Sequence, residues 1–413
     1  MKPACLALVL TTLLINPAGA EDWPRFRGPG GDGVSGESTV PLKWGPKENI
    51  AWKVELPGPG SSSPIVVGER VLVTCFTGKK SEEIVRHVIC FDRAGGKQLW
   101  KNSYPAPQPE MDYTGQLLQH GFTTSTPASD GQRFYVQLGR DGVRALDLDG
   151  KLLWHESVGE IVSTFGSGAS PLLVGDKLIV NATVELGALV ALDKKTGKRL
   201  WKTRINGDCW STPALAKLAG GNEELILNGS SVIYGFDPEN GKELWRVESL
   251  GGHISSTPVC HGGLVYIVNS GTEGKLTLAI RPGGRGDVSQ THVVWKQEKV
   301  GGSHCSPLLV GDRLCWFSGL ARAVSAKDGS ILQQERLEDL VNLYSSPISV
   351  GDTIVLFTRR TGAYTLRAKD LTVIHHNDLD DASGINASPA LSGGQLFIRS
   401  NRYLYCIGPA KRR

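Results

Sequence analysis

The stretch Ala169-Ser170-Pro171-Leu172-Leu173-Val174-Gly175-Asp176 opens the pattern that decides the fold. Ala169 to Val174 reads as a first β-strand and Gly175-Asp176 as a tight turn. Lys177 to Ala182 is a second strand and Ala188 to Leu192 a third. Asp193-Lys194-Lys195-Thr196-Gly197-Lys198 is a turn with glycine where a positive φ is wanted, and Arg199 to Arg204 is a fourth strand carrying Trp201. Four short strands joined by tight turns make one antiparallel meander.

The same pattern recurs along the chain. A Ser/Thr-Pro pair followed by an apolar run appears eight times, at Pro64, Pro127, Pro171, Pro213, Pro258, Pro307, Pro347 and Pro389. Successive gaps of 63, 44, 42, 45, 49, 40 and 42 residues suit one four-stranded propeller blade each. Gly311-Asp312 and Gly351-Asp352 repeat the first turn; Asn240-Gly241-Lys242 and Asp328-Gly329-Ser330 repeat the later one. A tryptophan marks the fourth strand at Trp100, Trp154, Trp201, Trp245 and Trp295, with Gln333 and His375 in its place in repeats six and seven.

The ends are complementary. The eighth repeat stops after three strands, at Tyr405-Cys406-Ile407-Gly408. A spare tryptophan strand, Ile50-Ala51-Trp52-Lys53-Val54, precedes the first repeat, and Trp52 stands twelve residues before Pro64, as Trp201 does before Pro213. The expected architecture is all-β: an eight-bladed propeller of four-stranded antiparallel blades, closed when the N-terminal strand completes the last blade. Closure protects sheet edges that would otherwise pair with other chains. The propeller takes residues 45–413, after an extension over 21–44.

Composition agrees with an ordinary globular chain. It has 413 residues, 40% of them hydrophobic, a net charge of +4 and 51 glycines, a share above the usual ~7%. The charge is too small to propose a nucleic-acid partner. Residues 1–20 read as a cleaved signal peptide: Lys2, an apolar stretch from Cys5 to Ile15, and Ala18-Gly19-Ala20. The expected location is therefore periplasmic or extracellular, with no transmembrane segment and a monomeric state. Seven cysteines would remain, at 75, 90, 209, 260, 305, 315 and 406, none in a CxxC pair. They read as small buried apolar residues rather than a disulfide framework.

Ala191-Leu192-Asp193-Lys194-Lys195-Thr196-Gly197-Lys198-Arg199-Leu200-Trp201 resembles the tryptophan-docking repeat of pyrroloquinoline-quinone (PQQ) propellers, and Gly235-Phe236-Asp237-Pro238-Glu239-Asn240-Gly241-Lys242-Glu243-Leu244-Trp245 is a second copy. Trp23-Pro24-Arg25-Phe26-Arg27-Gly28-Pro29 resembles the start of exported bacterial proteins of this kind. The family includes quinoprotein alcohol dehydrogenases and non-enzymatic relatives, among them an outer-membrane assembly scaffold. The resemblance implies that Trp52, Trp100, Trp154, Trp201, Trp245 and Trp295 dock blade to blade and touch no cofactor.

Function must then reside in loops and the channel mouth. The residues three before each repeat proline should ring the channel: Ser61, Thr124, Gly168 and Trp210, then Ser255, His304, Tyr344 and Asn386. With His253 and Asp208 nearby, they form a polar mouth with Trp210 as a stacking surface, open to two readings, a ligand site or a wet channel. Lys101 to Gly121 is an insertion on the mouth face, either a lid or a solvated loop. Arg281 to Thr291, on the opposite face, could hold an anion through Arg281 and Arg285 or be a plain turn. Asp378, Asp380 and Asp381 could hold a metal or be solvated. GxSxG, HExxH and P-loop motifs are absent. The expected function is an exported, non-enzymatic scaffold for a protein or polymer partner in the cell envelope, with no catalytic residues, metal or cofactor. The alternatives are a quinoprotein oxidoreductase using PQQ and calcium, and a glycan or small-molecule binding module. Against the oxidoreductase, no two cysteines are adjacent, whereas such enzymes commonly carry a neighbouring pair over the quinone.

Overall fold

The computed structural model describes residues 21–409 except 108, 303, 342 and 361, so the signal-peptide expectation lies outside the described residues. Among them the strands form eight sheets, each with four antiparallel strands and two of them with a fifth, one sheet for each repeat. Each repeat proline is followed directly by the innermost strand of its blade, as at Leu172–Val174 and Leu308–Val310. The last blade holds Ala390–Ser392, Gln395–Arg399 and Tyr403–Ile407, and its outer strand is Ile50–Glu55 from the other end of the chain. Lys53 pairs with Tyr405 and Val54 with Leu404, antiparallel. The ring is closed as its half-repeats imply.

A register shift interrupts the pairing of third and fourth strands in every blade, between Ala191 and Leu192 in the third and at Ile50/Trp52 in the eighth. An extra residue on the outer strand adds local twist and turns the following side chain toward the next blade. There the indole N–H donates to a turn carbonyl: Trp52 to Arg93 at 2.9 Å, Trp100 to Leu148 at 3.0 Å, Trp154 to Lys194 at 3.1 Å. Trp201 donates to Pro238 at 3.2 Å and Trp295 to Ala326 at 2.9 Å. The turn glycine serves twice. Gly197 has φ +75°, and a Cβ there would come within 2.6 Å of the Trp154 ring, so no other residue supplies both the conformation and the space.

Trp245 departs from the docking pattern. Its N–H donates to Glu224 Oε2 at 2.7 Å, within its own blade, and its ring lies over Gly235, where a Cβ would sit 2.2 Å away. The cause is the next blade, where the insertion replaces the glycine turn. Gly286–Asp287 instead adds a parallel fifth strand beside Trp245 and Arg246. Trp245 is therefore an intra-blade core residue and has no exposed surface.

The Ser/Thr that precedes each repeat proline forms a belt around the channel. Ser63 N–H donates to Thr126 Oγ1 at 2.9 Å, Thr126 N–H to Ser170 Oγ at 3.0 Å and Ser170 N–H to Thr212 Oγ1 at 3.0 Å. On the other side Thr257 donates to Ser306, Ser306 to Ser346, Ser346 to Ser388 and Ser388 back to Ser63, at 2.8–3.0 Å. The link from Thr212 to Thr257 is missing and Thr257 Oγ1 is unpartnered. Reciprocal amide bonds between buried Asn228 and Asn269, at 2.8 and 3.0 Å, join the blades there instead.

The extension crosses the channel face opposite the mouth. Trp23 exchanges backbone hydrogen bonds with Val66 in blade one, and Pro24 accepts from Ser129 in blade two. Arg27, fully buried, donates to the Pro307 carbonyl of blade six, and Val34–Ser35 pairs in parallel with the inner strand of blade seven. Glu37 accepts the amides of Gly393 and Gly394 in blade eight. Among the described residues the seven cysteines are unpaired, and six of them are buried.

Candidate functional site

The channel encloses a cavity of about 450 Å³, within the ~300–1,000 Å³ range of small-molecule sites. All eight residues three before the prolines line it, from Ser61 and Thr124 to Tyr344 and Asn386, as does His253. The belt hydroxyls line it below them. Phe26, from the extension, forms the floor.

The insertion after blade one roofs the mouth. Its first residues are not loop, because the outer strand runs on to Gln98–Pro105 and pairs with Val85–Asp92. The described residues from Glu110 onward then fold inward and end in the short helix Leu117–His120. Gln116, Gln119 and His120 face the cavity. Asn386 Nδ2 donates to the Gln119 carbonyl at 2.5 Å, Ser61 Oγ to the His120 carbonyl at 2.7 Å, and Arg359 to the Gln119 side-chain oxygen. An apolar knot of Phe76, Ile84, Leu117 and Phe122, with Met111 and Tyr113 against it, anchors the roof. The buried ion pair between Arg86 and Glu110 adds to it.

The wall has two halves. Over blades three to five lie Phe165, Trp210 and His253, with ring centroids 4.5–5.7 Å apart, and Trp210 Nε1 donates to the Gly166 carbonyl at 2.7 Å. His304 and Tyr344 of blades six and seven stack at 4.7 Å and 14°. The half formed by blades eight, one and two is hydroxyl and amide: Asn386, Ser61, Thr124. Burial lowers the pKa of His120 and of His304, the latter further through His120 and His253. Asn386 Oδ1, Ser255 Oγ and His120 Nε2 are buried without protein partners.

Other expected residues fall outside this site. Asp208 is exposed and does not line the cavity, because it lies on the turn before Cys209 rather than on the innermost strand. Arg285 pairs with buried Glu224 at 3.3 Å, and the same carboxylate accepts the Gly283 amide at 3.0 Å. Arg285 is thus neutralised by a carboxylate beside Trp245. Asp381 accepts from the Tyr405 hydroxyl at 2.8 Å, and Asp378 and Asp381 cap local turns. Sequence reasoning missed Phe26, Phe165 and the belt. The belt had a signal in the unbroken Ser/Thr before all eight prolines; the two phenylalanines lie on irregular segments with no repeat to index them.

PQQ carries three carboxylates, and calcium takes hard oxygen ligands. No described residue lining the cavity is Asp, Glu, Lys or Arg. No group of three or more His, Cys, Asp or Glu that could hold a metal occurs among the described residues. The residues present do not fit the quinone and its cation.

A family model described as "Outer membrane protein assembly factor BamB" matches residues 85–335 and, in an overlapping alignment, 228–413. The chain is 27% identical over 362 residues to BamB of Salmonella typhimurium, covering 72% of this chain and 89% of that protein. It is 22% identical over 316 residues to a tetrathionate hydrolase of Acidithiobacillus ferrooxidans, covering 63% of this chain but only 59% of that enzyme. A match to a polyvinylalcohol dehydrogenase of Pseudomonas sp spans 36% of its length. The BamB structure from Moraxella catarrhalis superposes with a TM-score of 0.59 at 16% identity, over 88% of this chain and 98% of that one, a likeness of fold.

Proposed function

Because the chain belongs to the repeat-propeller family described as outer membrane protein assembly factor BamB, we propose that it is an exported, non-enzymatic propeller that presents its mouth face to a protein partner in the cell envelope. The observation that carries this reading is apolar exposure on that face. Leu118 of the roof, Ile161 before blade three and Val341 before blade seven are 52%, 62% and 69% exposed, where a solvent-facing rim would be polar. Aliphatic side chains exposed in the loops of this face, in addition to those along the outer strands such as Leu152, Leu200 and Ile331, favour protein docking. The channel beneath, with no Asp, Glu, Lys or Arg among its described lining residues, supports binding over redox chemistry, since it offers no carboxylate as base and no fixed cation to polarise a quinone.

A photo-cross-linking residue placed at Leu118 or Val341 tests the reading in envelope preparations of the producing cell. Discrete protein adducts from these positions, and none from Lys217 on the opposite face, are expected. Equal labelling from both faces, or none from either, overturns it.

A further inference from the structure

We propose that the channel is a binding site for a neutral saccharide of one or two pyranose rings. The proposal goes beyond the docking reading and does not depend on it. Its first support is the belt. Seven of its hydroxyls accept a neighbouring backbone N–H, and none of them donates to another described residue. Their protons are therefore available to the channel, and an apolar occupant would leave them unpaired and desolvated.

The second support is unpartnered capacity at depth. Asn386 is 7% exposed with Oδ1 unbonded, and Thr257 is 3% exposed with Oγ1 unbonded. Both line the cavity. An acceptor amide beside a ring of donor hydroxyls matches a ligand rich in groups that both donate and accept, as sugar hydroxyls do.

The third support is the division of the wall. Phe165, Trp210 and His253 give an aromatic half, and Asn386, Ser61 and Thr124 a polar half. A pyranose has an apolar face of C–H groups and a rim of hydroxyls, so it can satisfy both halves at once. With no Lys or Arg among the described lining residues, an acidic sugar would meet only imidazoles, and burial holds those of His120 and His304 toward the neutral form, so its charge would be buried poorly compensated. Neutrality is the selectivity the chamber imposes.

Ligand-observed NMR and calorimetry on the mature protein, with glucose, maltose and cellobiose as probes and glucuronate as the charged comparator, test this. Saturable binding of at least one neutral sugar is expected, at least tenfold tighter than glucuronate. Trp210→Ala should weaken it tenfold or more. Ser255→Leu, which fills the mouth without removing a packing residue, should do the same if Trp210→Ala does not fold. Absence of saturable binding by all three sugars, glucuronate binding as tightly, or unchanged affinity in the folded variants would overturn the proposal.

Discussion

Glu185 sits on the one-turn helix Thr183–Leu186 of the third blade, on the mouth face, and accepts the Ser167 hydroxyl. Burial, with smaller contributions from Asp208 and Glu110, raises its pKa from 4.5 to about 7; Arg86 is the cation beside Glu110. The folded chain therefore keeps a proton that the unfolded chain releases near 4.5, and stability falls as pH rises through that interval until the loss is complete above about 7. Glu185→Gln should stabilise by about 3 kcal/mol at pH 8 and by little at pH 5, read from thermal melts at both; an equal gain at both would contradict the buried proton. Tryptophans divide similarly by environment. Trp245→Ala should cost about 3–5 kcal/mol in chemical denaturation, and Trp201→Ala less, because Trp201 is only half-buried. The sequence could not separate these two, since both follow the same turn motif. Only the next blade's missing glycine turn distinguishes Trp245.

The belt and the roof carry the argument for individual elements. Ser388→Ala deprives the buried Ser346 amide of its acceptor and should lower stability by about 1–3 kcal/mol. Thr257→Val removes a hydroxyl that accepts from no neighbour and should be nearly neutral. Equal effects in denaturant titrations would mean that the belt is not a chain of bonds. Strand positions were legible because alternation and turn glycines are local properties: Lys177–Ala182 and Arg199–Arg204 fall at the residues expected from sequence. The roof was legible as an insertion but not as a lid, since its contacts to Asn386 and Arg359 span well over two hundred residues. The ring of Ser61, Thr124, Trp210, His304 and Tyr344 was readable because a fixed offset from the proline indexes it. Asp208 was misplaced because proximity in sequence to Trp210 does not survive a turn.

At the scale of the whole molecule, closure and plugging are separate acts of the N-terminal segment. Ile50–Glu55 completes the last blade, so a chain beginning after residue 56 should expose the edge at Tyr403–Ile407 and aggregate; a monomer with an unchanged melting transition in light scattering and calorimetry would contradict closure. The central claim is that this closed ring surrounds a neutral binding chamber rather than a quinone site. Titration of the mature protein with PQQ in the presence of calcium, followed by dye-linked oxidation of alcohols and sugars on the same sample, tests it most directly. No stoichiometric PQQ binding and no turnover are expected. Saturable one-to-one binding with substrate-dependent dye reduction would contradict it.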